Sequence, residues 1–102
     1  MSRIEENLEL KAKLRQEIGT VVWPRLQPHA ERGVLFEVVA ELDLLEVGVA
    51  VAEDRTEQVK KWLTEGHLLR PGPEKITAWH QEGGVFTALI VKPFVFFQKA
   101  PN

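Results

Sequence analysis

The sequence predicts an α+β fold: a three-stranded antiparallel sheet of strand order 1-2-3, an N-terminal helix before it, and a helical pair between strands 2 and 3. Three observations predict it. The stretch Leu44 to Asp54 (LLEVGVAVAED) is apolar at both parities and carries a single charge, Glu46, before its closing Glu53-Asp54 pair. Such a run reads as a strand covered on both faces, here the central one. Leu45, Val47, Val49 and Val51 share one face, and Leu44, Glu46, Gly48, Ala50 and Ala52 the other. The run Val34 to Val39 (VLFEVV) precedes it across the short connection Ala40 to Asp43, the pattern of a hairpin. Beyond Asp54, apolar residues recur at helical spacing until Gly83-Gly84, after which Val85 to Val91 is again strand-like.

The elements follow in order. Residues 4 to 18 form a helix with Leu10, Leu14, Ile18 and Val21 on one stripe, widened by Ile4, Leu8 and Ala12, and with Glu5, Glu6, Glu9, Lys13 and Gln16 opposite. Charges of both signs on that outer side describe a solvated face, not a membrane or nucleic-acid surface. Gly19 ends the helix. One or two helical turns follow between Pro24 and Arg32, with each Pro suited to a first turn and Gly33 as the stop.

In the hairpin, pairing Val39 with Leu44 puts Phe36 opposite Val47 and Val38 opposite Leu45 on one face, and Glu37 opposite Glu46 on the other. Asp54 then starts a helix, with Glu57 at capping-box spacing. Val59, Trp62 and Leu63 make its buried stripe, and Gly66 is its stop. Arg70-Pro71-Gly72 is a turn, and Pro73 opens a last helix with Ile76 and Trp79 on its inner face. Lys92-Pro93 interrupts the third strand, which continues as Phe94 to Phe97. Because Pro cannot donate to a ladder, this segment is predicted at an edge or bulge.

Composition bounds the function. A chain of 102 residues suits one domain, residues 1–102, able to bury roughly two-thirds of its unfolded surface. Thirteen basic residues against fifteen acidic ones give a net charge of −2, without the basic surplus of a nucleic-acid binder. No cysteine is present, so disulfides and thiolate chemistry are excluded. No stretch reaches the roughly 18 apolar residues that span a bilayer, and the N-terminus is not a signal peptide. A cytoplasmic protein is expected, with neither nucleic acid nor membrane as partner.

Several residues together carry a resemblance. Trp23 with Leu26, His29, Arg32-Gly33, Leu42-Asp43-Leu44, Glu46-Val47 and Glu53-Asp54 form its first half. Val59, Trp62, Gly66, Pro71, Trp79, Pro93-Phe94-Val95 and Gln98 form its second. Over about residues 10 to 98 the chain resembles a family of small bacterial proteins catalogued only as a domain of unknown function. The resemblance implies a bacterial, soluble, stand-alone domain, and no catalytic or ligand residues to carry over.

No phosphate loop, nucleophile elbow, HExxH or Ser-His-Asp order is present. The predicted topology brings His29, Arg32, Glu53, Asp54 and His80 to one rim of the sheet. Two histidines with carboxylates suit a divalent metal or an acid–base pair. The plainer alternative is that Asp54 caps a helix, Arg32 pairs with Glu53, and both histidines are surface residues. Glu37 and Glu46, opposed on neighbouring strands, form a candidate carboxylate pair in which one pKa would be raised, unless each meets its own cation. Trp23, Trp62 and Trp79 are expected in the core. Phe94, Phe96 and Phe97 at an edge are a candidate interface with a second copy, a homodimer. The sequence therefore predicts a non-enzymatic interaction module, with the homodimer just described as its candidate assembly and with no cofactor and no metal. The alternative is a small-ligand or metal-dependent enzyme using the rim.

Overall fold

The structure, a computed structural model, describes the backbone of residues 3–100 and the side chains from Asn7 to Ala100. The elements run α1 (Arg3–Glu17), β1 (Gly19–Val22), α2 (Trp23–Glu31), β2 (Leu35–Val38), α3 (Leu44–Ala52), α4 (Thr56–Glu65), β3 (Leu68–Leu69), α5 (Pro73–Glu82), β4 (Val85–Val91) and β5 (Phe94–Lys99). The side chains of Ile4, Glu5 and Glu6, assigned above to the two sides of the first helix, lie outside the described residues.

The three-stranded antiparallel sheet is corrected. The sheet is mixed and five-stranded, in the order β1-β4-β5-β2-β3, with five helices around it. The largest departure is Leu44–Ala52, which is helix α3 rather than a central strand. A helix buried on nearly every side shows no polar stripe, so its apolar run looks like that of a buried strand. Its start is specified by Asp43, whose Oδ1 accepts from the Leu45 N–H at 3.0 Å, with Glu46 in the first turn beside the helix N-terminus.

With α3 a helix, β2 loses its hairpin partner. It pairs instead in parallel with β5, placing Leu35, Phe36 and Glu37 against Val95, Phe96 and Phe97, and antiparallel with β3. Parallel pairing demands a long crossover, and the helices between β2 and β5 supply it. Two strands come from stretches for which no strand is predicted: β1, antiparallel to β4, which takes Val21 out of the first helix's stripe, and the two-residue β3. Lys92 and Pro93 form the turn of the β4–β5 hairpin, closed by the pair Val91 and Phe94. β5 is therefore interior, between β4 and β2, and the edge position expected for Phe94 to Phe97 is corrected.

Alternation along β2, β4 and β5 divides the core into two layers. Val38, Leu89 and Phe96 face α1, α3 and α4, packing with Leu14, Val47, Val49 and Trp62. Leu35, Phe86, Val95 and Phe97 face α2 and α5, packing with Trp23, Leu26, Ile76 and Trp79. The second layer is aromatic: Trp79 stands edge-on to Phe86 and Phe97 at 5.3 and 5.5 Å between centroids. The indole N–H of Trp23 is buried without an acceptor among the described residues, a desolvation cost of about 1–3 kcal/mol.

Two local devices hold α3 in place. Gly48 lets the helix approach β4 closely, since a Cβ there would overlap the Leu89 side chain. From β5, the Gln98 side-chain amide donates to the Val39 and Leu42 carbonyls at 3.1 and 2.9 Å and ties down the β2–α3 connection. The capping box at Asp54 is also corrected. Helix α4 begins at Thr56 with Arg55 at its N-cap position and no side-chain cap, while Asp54 is held at φ 57° in the bend between the two helices.

Candidate functional site

The predicted rim does not assemble, because its members lie on opposite faces of the sheet. His29 and Arg32 belong to the end of α2 and His80 to α5, on one face. Glu53 and Asp54 follow α3, on the other. The rim requires a central strand ending beside the first strand, and that strand is a helix. Within the first group, Arg32 Nη2 donates to His29 Nδ1 at 2.6 Å, so the histidine must be neutral to accept. Burial, and then the neighbouring Arg32 charge, hold its pKa below the ordinary histidine value. His80 stands edge-on to the Trp23 ring at 5.9 Å between centroids. Glu53 pairs with Arg55 and accepts from Asn7 Nδ2 at 3.2 Å. Among the described residues no group of three or more histidines and carboxylates is placed to hold a metal ion.

Glu37 and Glu46 are also separated. Glu37 points to the α5 side and pairs with Lys75 at 2.9 Å. Glu46 is exposed on α3, across the sheet. The register that opposed them required the hairpin that is absent. The three phenylalanines divide between the layers: Phe97 joins the aromatic α2/α5 side, while Phe94 and Phe96 face α3 and α4.

Those two rings, with Phe36 from β2, form the floor of a cleft of about 290 Å³ beneath α3 and α4. Phe36 lies 5.9 Å from Phe96 and 5.8 Å from Phe94, centroid to centroid, so the three make one continuous aromatic surface. Val51 of α3, Val59 and Leu63 of α4, and Leu68 of β3 supply the walls. Leu63 is 45% exposed although it lies on the inward stripe of α4, because the space it faces is open. This volume is at the small end of ligand pockets, which run to roughly 300–1,000 Å³.

The mouth is polar and mainly basic. Asp54, Arg55, Thr56 and Lys60 line it, and the Arg70 guanidinium sits 5.4 Å from the Phe36 ring centroid. Arg55 is engaged by Glu53. Lys60 and Arg70 have no carboxylate partner among the described residues. Two larger grooves, of about 580 and 470 Å³, run beside β4 and β1, but neither includes a phenylalanine or tryptophan ring. Sequence reasoning missed this cleft. Its floor joins β2 to β5, a pairing hidden by the misread helix. Leu63, which its spacing assigns to the buried stripe of α4, gives no sign of it.

The chain matches, over residues 9–99, the family described as "Protein of unknown function (DUF2288)". Among solved structures, the NMR solution structure of PA1075 from Pseudomonas aeruginosa is similar, with 34% identity and a TM-score of 0.78. The likeness covers 100% of this chain and 94% of that one. No curated protein matches.

Proposed function

The chain belongs to the DUF2288 family, and we propose that it is a cytoplasmic, non-enzymatic binding module whose α3–α4 cleft seats a small amphipathic carboxylate. The observation that carries the reading is an aromatic floor under a mouth lined by Lys60, which has no carboxylate partner among the described residues, with the Arg70 guanidinium against the Phe36 ring. An apolar chain buried on Phe36, Phe94 and Phe96 would gain about 25 cal/mol for each Å² removed from water. Its carboxylate would meet the two cations at the exit, where charge complementarity selects acids over neutral chains of the same length. The volume suits one short aliphatic chain or one ring rather than a peptide helix. Binding without chemistry is the simpler reading, since Asp54, Thr56 and Lys60 line the mouth without a hydrogen bond or ion pair between their side chains that would activate one of them.

Calorimetric titration with sodium decanoate, and with decanol as the neutral control, tests this. Decanoate is expected to bind and decanol to bind more weakly. Lys60→Gln and Arg70→Gln should each weaken decanoate about three- to tenfold while leaving decanol unchanged, as for rim charges. Leu63→Trp, which fills the cleft, should abolish both. Equal affinity for the acid and the alcohol would remove the electrostatic half of the reading. No heat from either would remove all of it.

A further inference from the structure

Resting on the cleft reading above, we propose that the ligand is an α-amino acid with a large apolar side chain, held by both of its charges. Lys60 takes the carboxylate and Asp54 the ammonium. Two residues at the mouth depart from what the fold alone favours. Thr56, Val59, Lys60 and Leu63 recur along α4 at intervals of three and four, so they share the side that lines the cleft. An apolar residue in place of Lys60 would extend the wall, whereas the lysine brings a charge over the aromatic floor. Asp54 holds φ 57° in the bend between α3 and α4, a left-handed backbone that glycine adopts without steric cost. Residues that break local preference in this way are expected where a site, not stability, decides the choice.

Neither charge is used within the fold. Among the described residues, the Asp54 carboxylate and the Lys60 ammonium make no ion pair or hydrogen bond, with each other or with a neighbour. A simple fatty acid answers only Lys60 and sets its carboxylate near the like charge of Asp54. An α-amino acid answers both, because its ammonium and carboxylate share one carbon and stay together at the mouth. Lys60 lies one turn, about 6 Å, beyond Thr56, and its flexible stem can reach back towards Asp54. The side chain of the ligand leaves the same carbon and descends onto Phe36, Phe94 and Phe96. An ω-amino acid would instead carry its ammonium down to that floor, where an unpaired charge is costly. A volume of about 290 Å³ suits a side chain of the size of leucine, methionine or phenylalanine.

Methyl NMR of the intact chain, followed at Val59 and Leu63, gives dissociation constants for three related probes. They are L-phenylalanine, hydrocinnamate, which lacks the ammonium, and phenethylamine, which lacks the carboxylate. L-Phenylalanine is expected to bind about three- to tenfold tighter than either. Asn tolerates the left-handed backbone, so Asp54→Asn keeps the bend. That change should cost L-phenylalanine its advantage and tighten hydrocinnamate, whose carboxylate no longer meets a like charge. Lys60→Gln should do the reverse, weakening both acids and tightening the amine. Hydrocinnamate binding as well as L-phenylalanine would overturn the amino-acid proposal and leave the carboxylate cleft standing. A preference for L-phenylalanine that survives Asp54→Asn would overturn it too. No shift with these probes or with decanoate would overturn both readings together.

Discussion

Adding a side chain at Gly48 separates a helical α3 from a strand and tests the closest contact between a helix and the sheet. In a helix interior, Gly→Ala returns about 1 kcal/mol of propensity. Against this, the new methyl would overlap Leu89, which is fully buried, with a Leu14 methyl also in contact range at 3.5 Å. Inserting a methyl into a closed site costs about 1–3 kcal/mol, so Gly48→Ala should lose about 0–2 kcal/mol net. Gly48→Val adds two more carbons and surrenders about half a kcal/mol of helix propensity relative to Ala. Its expected loss is about 3 kcal/mol or more. For a domain of this size that lowers Tm by about 12 °C or more, at about 4–8 °C per kcal/mol. Urea unfolding followed by tryptophan fluorescence gives the free energies, and a thermal melt gives Tm. Were these residues a strand, valine would match or improve on glycine by up to about 1 kcal/mol. A Gly48→Val protein as stable as its parent would refute the α3–β4 packing.

Three further outcomes follow from single residues. Asp43→Ala should cost about 1 kcal/mol as the α3 cap is lost, whereas Asp54→Gly should gain about 1 kcal/mol by relieving its left-handed backbone, both read by urea unfolding. An unchanged Asp43→Ala would remove the cap. His29 titrates below the ordinary histidine value in the fold, so the unfolded chain binds its proton more readily. Its contribution is complete above about pH 6.5 and is lost as pH falls through the folded pKa; His29→Gln should flatten that limb of the stability–pH curve. Phe96→Glu should unfold the chain rather than dissociate a dimer, because the ring is 2% exposed and an unpaired buried carboxylate costs several kcal/mol. A folded, monomeric Phe96→Glu protein would return that residue to an interface.

The helices and stops with local chemical causes were legible in the sequence. Gly66 ends α4 at φ 77°, Pro73 opens α5, and Ile76 and Trp79 face inward, as spacing and punctuation imply. The failure at Leu44–Ala52 came from the limit of periodicity: full burial erases the polar stripe that distinguishes a helix from a strand. Asp43 with Glu46 carries the helix-start signal, at the same spacing as the Asp54–Glu57 pair. Everything non-local then inherited the error. The parallel β2–β5 pairing depends on which segments cross over, and β3 is too short to have a period. The candidate rim failed for that reason, since His29 and Glu53 were joined through a strand that does not exist. The cleft was hidden likewise, because Phe36 and Phe96 meet only in the parallel register.

The most direct test of the account is methyl NMR of the protein titrated with sodium decanoate. The cleft is expected to respond as a unit, with progressive shifts at Val51, Val59, Leu63 and Leu68 and in the ring signals of Phe36 and Phe94. Val21 and Ile90, which line the groove beside β1, should stay still. Shifts centred on Val21 and Ile90, or none anywhere up to the solubility of decanoate, would contradict it.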